Sequence, residues 1–170
     1  MVFIDECSSN AAMARRYGRG PPGARVHDAK PVNYGPNLTI LGALTLQGLP
    51  AAMTIPGATT TEVFLAFVNE ILCPTLGDGM VVVMDNLAAH KAAVVVAAIE
   101  ATGARVMFLP PYSPDLNPIE RAWSKLKNFL RGVGARTIDA LTAAVGEALK
   151  LLTPRDCRGW FRHSGYDPST

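Results

Sequence analysis

Cysteine is scarce and unpatterned: Cys7, Cys73 and Cys157 are the only three, with no CxxC spacing among them. That excludes a disulfide framework and a thiolate zinc site, and it suits a reducing cytoplasm. Long hydrophobic runs are missing too. The longest, Ala92 to Ile99, is far too short to span a bilayer, so no membrane partner is expected. The first residues lack the basic segment of a signal peptide and meet acid at once in Asp5-Glu6. Net charge is only +2, so the chain as a whole is not an electrostatic nucleic-acid binder. Neither a GxSxG, nor a P-loop, nor a Cys–His pair in a supporting context occurs, which leaves those chemistries without a candidate.

What is present fits one α/β domain over residues 1–170, with 49% hydrophobic and 18% charged residues and no internal repeat. Residues 2–6 read as a first strand, followed by a long loop rich in Gly, Pro and Arg. Such a connection exceeds the ~15 residues beyond which structureless loops become uncommon unless functional or disordered. Leu38 to Leu46 and Leu49 to Ile55 read as a hairpin turning at Gln47-Gly48. Thr59-Thr60-Thr61-Glu62 offers helix caps, and apolar residues from Val63 to Leu72 recur at helical spacing until Pro74. Met80 to Met84 reads as a central strand, Leu87 to Thr102 as a helix with Gly103 just past its end, and Arg105 to Leu109 as the next strand. That order is a βαβ unit with parallel strands. Helices over Pro118 to Arg131 and Ile138 to Leu152 complete the domain. The expected fold is a ribonuclease-H-like mixed five-stranded sheet, an antiparallel meander plus two parallel strands, flanked by helices.

Three carboxylates carry the functional argument. Asp5 ends the first apolar run, Asp85 ends Met80-Val81-Val82-Val83-Met84, and Glu120 follows after a 34-residue gap. In the expected sheet the first two strands are neighbours about 4.8 Å apart, with both aspartates at the carboxyl edge where open α/β sheets bind ligands. Carboxylates so gathered suit two Mg²⁺ or Mn²⁺ ions and a scissile phosphodiester. Each residue also has a plainer reading. Asp85-Asn86 suits a helix N-cap. Asp5 suits a solvated strand end, where Glu6 competes by type. Glu120 suits a capping box with Asn117 as N-cap and Pro118 at N1, and Asp115 is a rival third carboxylate. Four prolines between Pro110 and Pro118 stiffen the approach to Glu120. Ile119, Ala122, Trp123, Leu126 and Leu130 form an apolar stripe, leaving Glu120, Ser124, Lys127 and Arg131 on another face. Asn86 and His90 are expected to face the site from the second helix and orient substrate or water, with a structural histidine as the alternative. Two basic patches, Arg15, Arg16, Arg19, Arg25 and Lys30, then Arg121, Lys125, Lys127, Arg131 and Arg136, are candidates for phosphate contact or solvated surface.

Phe3-Ile4-Asp5-Glu6, Asp85-Asn86 with His90, and Leu109 to Glu120 with Trp123 together resemble the mariner-like insertion-sequence transposases, most closely the bacterial insertion-sequence 630 family. The segment from Gly159 to Tyr166 is similar as well. The resemblance implies that Asp5, Asp85 and Glu120 are a catalytic, metal-binding acidic triad, with Asn86, His90 and Asn117 supporting it. Arg15, Arg16, Arg19, Lys125, Lys127 and Arg131 would contact DNA. The implied reaction is hydrolytic cleavage at transposon ends, then attack of the freed 3′-hydroxyl on target DNA. The implied partners are transposon-end and target DNA and a second copy of the chain in a homodimer. Members of the family carry an N-terminal helix-turn-helix DNA-binding domain; with the first strand starting at Met1, that domain is expected to be absent here and a separately encoded DNA-binding half to be a further partner. A metal-dependent nuclease without joining, and an inactive DNA-binding remnant, are the alternative readings.

Overall fold

The computed structural model describes residues 1–29 and 31–167, so Lys30 of the first basic patch lies outside the described residues. Five strands form one sheet: β1 (Val2–Asn10), β2 (Asn37–Thr45), β3 (Gly48–Pro56), β4 (Val81–Met84) and β5 (Arg105–Phe108). Their order is β3-β2-β1-β4-β5. β1 runs antiparallel to β2, β2 antiparallel to β3, and β4 parallel to both β1 and β5. This is the mixed, ribonuclease-H-like arrangement expected from the sequence. The helices are α1 (Thr61–Phe67), α2 (Ala93–Glu100), α3 (Ile119–Val133), α4 (Ile138–Lys150) and α5 (Pro154–His163). Among the described residues, no helix is long and apolar enough to cross a membrane.

Strand alternation divides the core in two. Phe3, Cys7 and Val83 face α3, α4 and α5, while Val2, Ile4, Val82 and Met84 face α1 and α2. The stripe of α3 is buried from Ile119 to Leu130, and the helix stops where Gly134 takes a left-handed conformation, φ 65°, and donates its N–H to Leu130.

Several boundaries differ from expectation, each for a local reason. β1 does not end near residue 6. It pairs with β4 only at Val2 and Phe3 but continues beside β2 to Asn10. Asp5 therefore lies inside a strand, at the point where β1 loses its parallel neighbour. The helix after β4 begins at Ala93 rather than Leu87, because residues 88–91 form a turn before it. The helix beginning at Thr61 loosens and then tightens before it stops: a π turn, Val68–Leu72, leads into a 3-10 turn, Cys73–Thr75, that contains Pro74.

The sequence reading also missed α5. Its N-terminus is a full capping box, Thr153 with Asp156, with Pro154 in the first turn. Phe161 meets Phe3 edge-on, with centroids 5.2 Å apart, and Tyr166 tilts against Phe3 at 4.9 Å. The Tyr166 hydroxyl donates to the Leu116 carbonyl at 2.8 Å. This last contact ties the C-terminal segment to the proline-rich approach to α3.

Candidate active site

Asp5 is 7% exposed and sits opposite Gly42 in the β1–β2 register. That glycine makes the site possible. A Cβ there would lie 2.6 Å from Trp123 Cη2 and 2.7 Å from Leu49 Cδ2, closer than packed atoms tolerate. With the space free, the indole of Trp123 lies over β2 and its Nε1–H donates to Asp5 Oδ2 at 3.2 Å. Burial pushes the Asp5 carboxyl up to about 7, and the charges of Glu120 and Asp85 add to the rise; hydrogen bonds from the Glu6 backbone and Trp123 oppose it. Strand alternation turns neighbouring Glu6 away. Asp5 lines the cleft and Glu6 does not.

Asp85 follows β4 at the same sheet edge. It does not cap α2, whose N-cap residue is Ala92. Instead its Oδ1 accepts from the Leu87 N–H at 3.0 Å and lies 2.6 Å from His90 Nδ1. Burial alone would raise this carboxyl, but the His90 and Leu87 hydrogen bonds and the His90 charge outweigh it and hold Asp85 below the usual carboxylate range. His90 is fully buried, 4.4 Å from the Phe64 ring centroid. It stands behind Asp85 and does not face the substrate's side, which is the supporting, structural alternative that the sequence left open. Asn86 Nδ2 donates to the Leu109 carbonyl, clasping the ends of β4 and β5.

Glu120 enters the same cleft from the first turn of α3. The capping box that was its plainer reading is absent. Pro118, not Asn117, is the N-cap residue, no side chain caps the helix, and Asn117 Oδ1 is buried without a hydrogen-bond partner. Asn117 contributes its backbone carbonyl, which accepts from the Glu120 N–H at 3.2 Å. Glu120 is left exposed, and rival Asp115 does not line the cleft. The cleft is about 450 Å³ and is bounded by Asp5, Asp85, Asn86, Glu120 and the Leu109–Pro114 segment.

A second groove, about 670 Å³, begins at Glu120 and carries Arg15, Arg16, Lys127 and Arg131. The two basic patches, more than a hundred residues apart in sequence, thus share one surface beside the carboxylates. Arg136 Nη1 donates to the Ala11 and Met13 carbonyls, and Arg15 Nη2 to that of Gly132, which hold the loop after β1 against α3. Desolvation and the nearby charge of Arg16 lower the Arg131 guanidinium from its ordinary value. Arg19 lines a neighbouring hollow with Arg15, Arg16 and His27. Lys125 is elsewhere. Its Nζ donates to Asp156 Oδ2 and the Leu151 carbonyl, both at 2.7 Å, fastening α3 to α5.

The residue matches extend this geometry. The family described as DDE superfamily endonuclease matches residues 1–142. The chain belongs to that family. Over 102 residues it is 29% identical to the Transposable element Tc1 transposase of Caenorhabditis elegans, covering 54% of this chain and 37% of that protein. Its fold is similar to a Mos1 mariner paired-end complex with Mn, TM-score 0.73 and 18% identity, over 96% of this chain and 52% of that one. It is similar as well to the catalytic domain of Mos1 mariner transposase, TM-score 0.68 and 15% identity, over 96% of this chain and 76% of that one. A further similar structure is the Mos1 catalytic domain with Raltegravir and Mg, TM-score 0.67 at 15% identity, over 96% of this chain and 79% of that one. The chain is thus a DDE-superfamily member with a fold similar to the Mos1 catalytic domain, and it spans well under two thirds of the Tc1 transposase.

Among the described residues, no three His, Cys, Asp or Glu side chains form a ready-made metal cluster. The donor set nevertheless suits a hard cation: oxygen ligands alone, one of them a carboxylate raised chiefly by burial and further by the charges of Glu120 and Asp85. Two supporting residues escaped the sequence reading. Trp123 was read as core and as part of the family motif but not as a partner of Asp5, and Gly42 only as strand, although a glycine inside a buried strand is itself a sign of close approach.

Proposed function

We propose that this chain is the catalytic domain of a transposase of the insertion-sequence 630 branch, cleaving DNA at transposon ends and transferring the 3′-hydroxyl to target DNA. One observation carries the reading: a cleft of three carboxylates opens at Glu120 into a groove of four basic side chains. A phosphodiester needs both, positive charge along its backbone and oxygen ligands for cations at the bond that breaks. Asp5, Asp85 and Glu120 would hold two divalent ions, Mg²⁺ or Mn²⁺. Two such ions, when bound, activate an attacking oxygen and stabilise the leaving one.

The chain's own groups do the positioning. Trp123 fixes one oxygen of Asp5, and His90 with the Leu87 N–H fixes one oxygen of Asp85. The proline-rich segment sets where α3 begins and so where Glu120 stands. Arg15, Arg16, Lys127 and Arg131 would neutralise backbone phosphates, with Arg19 extending the path. Lys125 is left out, since its ammonium already has two partners. A homodimer handling two ends and a cytoplasmic location complete the proposal, supported by the family likeness.

The test is Mn²⁺-dependent nicking and joining on supercoiled plasmid with a pre-cut 3′-hydroxyl oligonucleotide, comparing the parent with Asp85→Asn. Joining by the parent but not the variant is expected, with the fold retained because the side chains are nearly isosteric. Nicking without joining would favour a plain endonuclease, the activity that the family's description names. Equal products from both proteins would refute the triad.

A further inference from the structure

Tyr112 stands apart from every other side chain in the cleft. It is the one non-glycine residue with positive φ among the described residues, φ 56°, and its side chain is wholly exposed at 102%. It nevertheless lines the cleft that holds Asp5, Asp85 and Glu120. A bulky residue in the left-handed region strains the backbone, and glycine or asparagine would serve such a turn better. Packing does not explain the ring, because it rests on nothing in the chain. Neither local conformation nor the core accounts for a tyrosine here.

The support beneath the ring is stiff. Pro110 and Pro111 precede it, and Ser113-Pro114 follows, with Ser113 Oγ donating to the Pro111 carbonyl at 3.3 Å. The 3-10 turn after it, Pro114–Leu116, is held by Tyr166. An aromatic face displayed from a rigid turn loses little conformational entropy when it meets a ligand. Phosphates would be met by the carboxylate-held cations and the basic groove. The remaining part of a nucleic acid is the base, whose flat face is what an aromatic ring recognises. In an intact duplex those faces are covered by their neighbours, so the ring can reach only a base that is unpaired, at an end or turned out.

We propose that Tyr112 is a stacking platform for an unpaired nucleobase beside the scissile phosphate. This rests on the DNA-cleaving reading, but the two fail separately. The experiment uses the full chain and duplex oligonucleotides with 2-aminopurine at one position, either mismatched or fully paired, each measured at two salt concentrations. The parent should bind the mismatched probe more tightly and quench its fluorescence. Tyr112→Phe should keep both effects. Tyr112→Ala and Tyr112→Gly should lose about 5- to 150-fold in affinity for the mismatched probe, the range that one base–aromatic stack supplies. Tyr112→Gly should also melt at a higher temperature than the parent, because glycine removes the strain. A ring kept for the fold would behave oppositely, with Tyr112→Gly less stable and equal in binding, and that result overturns the proposal. So does a parent with no preference for the mismatched probe. Tyr112-dependent quenching by a parent that cleaves nothing would keep the platform and remove the cleavage reading; cleavage without quenching would do the reverse.

Discussion

Replacing Asp5 by Asn should stabilise the metal-free protein, and only above a certain pH. Asp5 is a buried carboxyl whose value rises from 3.8 to about 7 on folding. An acid raised in this way holds its proton in the folded state after the unfolded chain has lost it. Stability is then greatest below about pH 4, falls as pH climbs towards 7, and stays low above it. At ~1.4 kcal/mol per pH unit, the charged carboxyl costs the folded state roughly 4 kcal/mol at pH 8. An Asn amide can still accept from Trp123, but its buried NH₂ gives back about 1 kcal/mol or more. The net gain at pH 8 is therefore roughly 2–3 kcal/mol, a rise of about 5–10 °C in melting temperature for a chain of this size. Melting curves between pH 4 and pH 8.5 in EDTA would measure it. The parent should lose stability across that range more steeply than the variant, with the variant's advantage gone and slightly reversed at low pH. Mn²⁺ at pH 8 should narrow the gap by stabilising the parent. A difference between the two proteins that is independent of pH would refute the assignment of Asp5 as a buried, proton-holding carboxyl.

Two other perturbations test the supports around the cleft. Gly42→Ala places a methyl against Trp123 and Leu49, and should cost about 1–3 kcal/mol as an overpacked core while breaking the Trp123–Asp5 hydrogen bond. Urea melts combined with plasmid nicking check this; unchanged indole fluorescence and unchanged stability would show that the indole does not need that space. Lys127→Gln and Arg131→Gln should each lower the salt dependence of DNA affinity by about one phosphate contact, read from binding isotherms over a range of salt. Lys125→Gln should leave that slope unaltered and instead loosen α5, seen as faster amide exchange over residues 154–163.

Trp123 and Asp5 illustrate how far the sequence could be read. The helical spacing of Ile119, Ala122, Trp123, Leu126 and Leu130 was legible because a 3.6-residue period reports burial directly. That the indole N–H reaches Asp5 was not, since it depends on Gly42 of a third element. The turn at residues 88–91 defeated the helix expected there. Alanine and valine runs carry apolar character without strong periodicity, and the Asp85 carboxylate takes the Leu87 N–H in a local bond that competes with helical backbone structure. α5 was overlooked although Thr153-Pro154 with Asp156 spells a helix start, because its stripe is short and its surface charged.

By itself, the sequence determined the order of the strands and of the helices up to α4, the antiparallel hairpin, the parallel βαβ unit and the DDE superfamily to which the chain belongs. Periodicity, turn residues and the proline-rich segment before Glu120 are local, and local signals survive in a linear string. Only the tertiary structure decided that Asp5 rather than Glu6 enters the cleft, that His90 lies behind Asp85, and that Arg15 and Arg16 meet Lys127 and Arg131. It also turned Lys125 toward α5 and left Tyr112 bare at the rim. Those outcomes depend on strand alternation, on space left by one glycine and on hydrogen bonds between elements far apart in the chain. No single segment carries that information.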